Sequence, residues 1–299
     1  MAFGAIFNGD AGFHVILFAL KLALKTPGKY LVLGMLTISG LFIYPIKSLG
    51  GIALEKSFLT DRGFQYDRRW MLVNPSGKFY TQRDNPEMAL LKVELKAAGL
   101  EVYHSADPDD RIEIPFQFTP SGVLPVIVWE DTCEAQLVSD SIDAWFTRVL
   151  NMPCRLVFMP DQTHRPVDPD YATRQEITSF SDGYPVLVIG QASLDDLNAK
   201  LNVPVPMNRF RPNIVFEGGR PYQEDGMTAF QVNGINFSGV KLCGRCMVTT
   251  IDQDTAETGK DPLKTLATYR LINNKVMFGM NLLHDSSGWI AVGDSISLR

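Results

Sequence analysis

Phe230-Gln231-Val232 and Ile235-Asn236-Phe237 alternate apolar with polar residues on either side of Asn233-Gly234. The tightest hairpin turn needs positive φ at both central residues, which Asn and Gly tolerate, so this stretch predicts an antiparallel hairpin. The same reasoning applies upstream. Residues 68–73 and 78–82 flank Asn74-Pro75-Ser76-Gly77, with Pro second and Gly fourth as a type I turn prefers, and predict another hairpin. Residues 100–103 and 112–114 predict a third around the polar segment 105–111, and residues 126–129 add a strand entered through Pro125. Residues 36–43, 155–159, 186–189, 278–281 and 288–298 read as further strands. Short strands at such close spacing point to a barrel or sandwich. The 24 Gly and 18 Pro fit the turns between them.

Helical period is confined to short segments. After Ser139 or Asp140 as cap, Ile142, Trp145, Phe146 and Val149 fall on one face. Ser193 and Asp196 form a capping pattern, with Leu194, Leu197 and Leu201 on one face, and Asp261-Pro262 opens a helix to about Arg270. The expected fold class is therefore α+β and β-rich. With 299 residues, 45% of them hydrophobic, the chain has interior enough for one large or two moderate cores. A net charge of -5 argues against a nucleic-acid surface, which needs clustered Lys and Arg. The Pro-rich, charged segment 161–170 marks a boundary or lines a substrate mouth.

Residues 13–24 are apolar but interrupted by Lys21, and are too short for a spanning helix. They lack the basic region and small-residue cleavage site of a secretory signal. Residues 1–35 therefore read as a weak membrane-associating helix, an organellar leader, or an extension foreign to the natural product. The last is favoured, because Met35 opens the first strand-like run. A cytoplasmic location follows from that reading; a membrane-associated or organellar one follows if residues 1–34 are native.

The chemistry concentrates in residues 241–259, where Cys243 and Cys246 stand three apart with Gly244-Arg245 between them. A thiolate is a soft metal ligand and a nucleophile, and an adjacent Arg245 favours its ionised form. Structural zinc needs two more ligands, yet Cys133 and Cys154 stand alone and no His is near. Thioredoxin-like exchange needs the pair at a helix start, whereas residues 247–251, apolar and β-branched, read as a strand. Elsewhere, Lys47 and Ser48 precede Gly50-Gly51 in a loop suited to an anion, and Arg68 can clamp an anion or pair with Asp67. Ser181-Asp182-Gly183 offers hydroxyl and amide groups to a polar cofactor, or forms an ordinary turn. Pro212 predicts an extended Arg211, so that Arg211 and Asn213 point the same way, which suits a phosphate or pterin-like ligand or leaves Arg211 a structural residue.

Tyr44-Pro45-Ile46-Lys47-Ser48-Leu49-Gly50-Gly51, Asp67-Arg68-Arg69-Trp70, Asn208-Arg209-Phe210-Arg211-Pro212-Asn213, Cys243-Gly244-Arg245-Cys246 and Phe278-Gly279-Met280-Asn281 occur in this order. Together they resemble the MOSC-domain family, in the branch of the mitochondrial amidoxime-reducing component and bacterial YcbX-type proteins. The resemblance runs from about residue 36 to the C-terminus. It implies an N-terminal β-barrel domain over 36–155, a MOSC β-barrel domain over 156–299, and a molybdenum-molybdopterin cofactor between them; the family also has a pyridoxal phosphate association. By position Cys246 matches the molybdenum-ligating, catalytic Cys, and Cys243 a less critical neighbour. Lys47, Ser48, Arg68, Ser181, Asp182, Arg211 and Asn213 fall on cofactor-contacting positions, and Gly244 and Asn281 on positions that approach it. Gly183 replaces a hydroxyl residue, leaving a backbone contact, and Asn281 replaces an aromatic of the animal members.

The implied activity is reduction of small N-hydroxylated or related N-oxygenated compounds. With no C-x4-C-x2-C run in the chain, electrons are expected from a separate cytochrome b5-like or ferredoxin-like protein and its reductase. The competing reading is a molybdenum cofactor carrier or sulfur-transfer module without its own turnover.

Overall fold

The computed structural model describes residues 35–299, so the readings made on the N-terminal segment lie outside the described residues. Seven strands close on one another. Around the barrel they run Val186–Gly190, Ile214–Glu217, Leu36–Ile43, Ser295–Leu298, Ala229–Val232, Ile235–Arg245 and Lys275–His284, which pairs back onto Val186–Gly190. Every ladder is antiparallel except that between Val186–Gly190 and Ile214–Glu217. Alternation along these strands sends Ile38, Leu41, Val188, Phe216, Phe230, Phe237, Leu282 and Ile296 into one apolar core. The Asn233-Gly234 hairpin forms as expected, with φ of 49° and 83° at its turn and the Phe230 and Phe237 rings stacked at 5.1 Å. Leu36–Ile43 is a full member of the barrel and Lys56–Thr60 pairs with Gly288–Ala291, so both ends of the described chain meet there.

The intervening residues build a four-stranded sheet, ordered Trp70–Val73, Arg155–Phe158, Asp131–Leu137, Gly122–Val128, and a three-stranded meander, Leu91–Leu95, Gly99–His104, Asp107–Pro115. The helix Asp140–Leu150 packs Ile142, Trp145, Phe146 and Leu150 into a second core with Trp70, Leu72, Val102 and Leu156. Its start follows the sequence: Ser139 Oγ accepts from Ile142 N, and Asn151 closes the helix in the left-handed region.

Several expectations need correction. The hairpin at 74–77 forms but is short: Gly77 N donates to Asn74 O, Asn74 N to Lys78 O and Tyr80 N to Leu72 O, each at 2.9 Å, around the bridge Val73↔Phe79, and Lys78 also bridges Ile127. Trp70–Val73 takes its regular ladder from Arg155–Phe158. Pro125 lies inside Gly122–Val128, where an edge strand tolerates a missing donor. Ser193 sits within the helix Gln191–Asn198, its hydroxyl donating to Glu224 rather than capping, and the last helix covers only Leu263–Ala267. Residues 247–250 form a 3-10 turn, not a strand. No helix among the described residues is long and apolar enough to cross a membrane.

Candidate functional site

The chain leaves the first barrel strand at Ile43 and carries Lys47 and Ser48 to the rim of a cavity of about 160 Å³. Lys47, Ser48, Arg68, Ser181, Asp182, Gly183, Arg211, Asn213, Gly244, Cys246 and Asn281 all line it. Three of them, Ser48, Arg68 and Arg211, hold left-handed backbone with φ of 70°, 48° and 53°. Arg211 is therefore not extended as its Pro212 suggested. Such conformations cost roughly 1 kcal/mol or more each and persist where surrounding structure enforces them. Gly51 is required by close packing: a Cβ there would stand 2.4 Å from the Tyr44 ring.

Tyr44 organises the inner end of the cavity. The Arg68 and Arg211 guanidinium groups lie over its ring at 4.3 and 4.2 Å, and its hydroxyl donates to Pro212 O at 3.1 Å. Burial pushes its hydroxyl up to about 12, against the pull of both arginines. Arg68 grips Asp67 through both carboxylate oxygens at 2.8 and 2.7 Å, and burial still raises the Asp67 carboxyl. Arg211 donates to Leu49 O at 2.8 Å, and burial together with the Arg68 charge brings it down to about 10. Asn213 ties barrel to loop, accepting from Leu187 N at 3.1 Å and donating to Phe42 O at 3.1 Å.

At the mouth Lys47, 6% exposed, donates to Phe180 O at 2.8 Å and to Asp182 Oδ1 at 2.6 Å. Burial lowers Lys47, opposed by Asp182. Desolvation would push the Asp182 carboxyl up, but its side chain is 73% exposed. The Lys47 ammonium and a hydrogen bond from Trp129 hold it well below the usual carboxylate range. Ser181 spends its hydroxyl on Thr178 and Tyr184 O, and a side chain on Gly183 would meet nothing within 4 Å, leaving its backbone open to the cavity.

The cysteine strand is placed by a bulge. Ile235–Arg245 slips register against Lys275–His284 between Leu242 and Gly244, and then ends. Cys246 opens the 3-10 turn Met247–Thr250, its carbonyl accepting from Thr249 N at 3.1 Å and Thr249 Oγ1 at 3.0 Å. Its thiol, half-buried, has no hydrogen-bond partner among the described residues. Arg245 was expected to act on the reactive thiol; its Nη1 donates instead to Cys243 Sγ, at 2.9 Å. Asn281 donates to Lys241 O at 3.0 Å across the same ladder. Among the described residues no three His, Cys, Asp or Glu gather to hold a metal. A metal at Cys246 would need further donors brought by its own ligand.

The lining holds five cations, Lys47, Arg68, Arg83, Arg211 and Arg245, and one carboxylate, Asp182. So many desolvated cations fit an anionic occupant such as a phosphate ester. Sequence reasoning missed Arg83, Thr81 and Trp129, which line both this cavity and an adjoining cleft of about 910 Å³. The local signal for Thr81 and Arg83 was the continuation of the 74–77 hairpin into Thr81-Gln82-Arg83, and for Trp129 the end of the strand expected at 126–129.

Residues 35–153 match the MOSC N-terminal beta barrel domain and residues 175–297 the MOSC domain. Mitochondrial amidoxime-reducing component 1 is 31% identical over 281 residues in Homo sapiens and 30% over 283 in Mus musculus, covering 88% of this chain and 82% of each relative. Molybdenum cofactor sulfurase of Oryza sativa is 27% identical over 290 residues, 87% of this chain but 35% of the sulfurase, so the chain spans about a third of that relative. With its closed barrel, its paired domain matches and an amidoxime-reducing relative 31% identical over most of both chains, this chain belongs to the MOSC family.

Proposed function

We propose that the cavity holds a molybdenum-pterin cofactor and that the protein reduces N-hydroxylated or related N-oxygenated small molecules. The observation that carries this reading is that a Cys246 thiol without a hydrogen-bond partner among the described residues lines the same cavity as Lys47, Arg68 and Arg211. Cys246 would supply the protein's thiolate to the metal. Lys47, Arg68 and Arg211 would hold the terminal phosphate, and Ser48, Ser181, Asp182, Asn213 and Asn281, with the backbone at Gly183 and Gly244, would orient the remainder. When bound, such a group supplies a two-electron centre able to take oxygen from nitrogen. Electrons would come from a separate cytochrome b5-like or ferredoxin-like protein.

The test is molybdenum and pterin content of protein from a host that makes the cofactor, beside Cys246→Ser, with turnover of an N-hydroxylated compound under a reductant. Near-stoichiometric metal and turnover in the parent, with turnover lost in the variant, is the expected result. Unchanged turnover in the variant would remove Cys246 from the metal. Bound cofactor without turnover in the parent would favour the carrier role, which the sulfurase relatives support.

A further inference from the structure

Arg83 differs from every other cation on the inner cavity. Lys47, Arg68, Arg211 and Arg245 each donate to a carboxylate, a carbonyl or a thiol. The Arg83 side chain has no hydrogen bond or ion pair among the described residues, and its Nε is buried without a partner. What holds it is stacking: its guanidinium lies 4.4 Å from the centre of the Trp129 ring, which in turn packs edge-on against Phe79 at 5.0 Å. Trp129 itself is 39% exposed and fixed by its indole N–H on Asp182.

Position says what the group is for. Arg83 and Trp129 line both the inner cavity and the wider cleft, whereas Arg68, Arg211 and Arg245 line the inner cavity alone. In the cleft Arg165 pairs with Asp131 and Lys241 with Asp168, while Lys78, like Arg83, forms no ion pair among the described residues but lacks an aromatic face to align it. Asp84 and Glu130 also line it, and neither pairs with Arg83. A guanidinium aligned by an aromatic face and left without an acceptor is pre-organised to take a planar oxyanion. We infer that Arg83 is a specificity-determining residue that binds a carboxylate on the substrate as it passes from the cleft to the inner cavity. The inference rests on the reductase reading for what the cleft admits.

The test compares two N-hydroxylated compounds identical but for a carboxylate, with the cofactor-loaded parent, Arg83→Gln and Arg83→Lys. A charge-assisted hydrogen bond corresponds to roughly a 10- to 100-fold preference. The ratio of kcat/KM, carboxylate over uncharged, should therefore fall by about 10-fold or more in Arg83→Gln, and recover in part in Arg83→Lys. A ratio within threefold of the parent's overturns the inference, as does molybdenum content below half the parent's, which would assign Arg83 to the cofactor. If the parent reduces neither compound, titration of a simple aromatic carboxylate, followed by tryptophan fluorescence, decides separately. Binding weakened in Arg83→Gln supports the role, and equal binding overturns it.

Discussion

The inner end of the cavity and its mouth are each built from a carboxylate against a cation, yet the two carboxylates behave oppositely. Asp67, 2% exposed and held by Arg68 and by Tyr44 N at 2.8 Å, is raised by burial in spite of its partners. Asp182 faces solvent and is lowered by Lys47. The contrast shows which part of the site is scaffold. At the inner end both members have left water, so each depends on the other. At the mouth only the ammonium has, so Lys47 depends on Asp182 more than Asp182 depends on Lys47.

The largest effect should come from breaking the inner pair. Asp67→Ala leaves the Tyr44 amide without its acceptor and the buried Arg68 guanidinium without its carboxylate, holding only Asn213 Oδ1 and Arg211 O at 3.3 Å each, which costs about 3–5 kcal/mol. Urea unfolding should show this as a lower midpoint at unchanged slope. A loss below 1 kcal/mol would mean that Arg68 finds water there and that the inner end is no more desolvated than the mouth.

Glu224 sharpens the comparison, because it is a buried carboxyl with no cation. It is 0% exposed, Oε2 accepts from Ser193 Oγ at 2.8 Å, and Oε1 has no partner. Burial pushes it from 4.5 up to about 7. Between those two values the folded state binds a proton that the unfolded state has released, so stability falls as pH rises through this window. The deficit, on the order of 3 kcal/mol, is complete above the folded value and absent below the unfolded one. Glu224→Gln should accordingly unfold at a higher temperature than the parent at pH 8 and at nearly the same temperature at pH 4.5. Parallel curves across that range would show that pairing, not burial, governs these carboxyls.

How much of this could be read from the sequence divides along the same physical line. Local signals reached what local forces decide: the Asn233-Gly234 hairpin, the Ser139 cap, and the stripe from Ile142 to Phe146. The motif residues carrying the family resemblance do meet around one cavity. Long-range choices were out of reach. Nothing near Trp70–Val73 says that its regular ladder goes to Arg155–Phe158, or that Trp129, from the turn after Gly122–Val128, meets Arg83. Likewise β-branched Val248 and Thr249 favour a strand by composition. The register slip at Gly244 ends the ladder before them, and the chain coils into a 3-10 turn at Cys246.

The smallest effect is expected at the mouth, and there the order of the two deletions matters. Lys47→Met keeps the aliphatic stem against Phe79, where the ammonium now lies 5.1 Å from the ring centre, and removes the one charge that burial penalises. Asp182, 73% exposed, rehydrates, and Phe180 O loses a donor whose own desolvation cost disappears with it. The net change should stay within about 1 kcal/mol, as for pairs with a solvated member. Asp182→Ala does the reverse, leaving the ammonium buried at 6% exposure with one carbonyl, and should cost more than Lys47→Met. Urea midpoints of the two variants read the asymmetry directly. If Lys47→Met proves the more damaging, the ammonium is a structural pin like Arg68, and the mouth belongs to the scaffold as fully as the inner end.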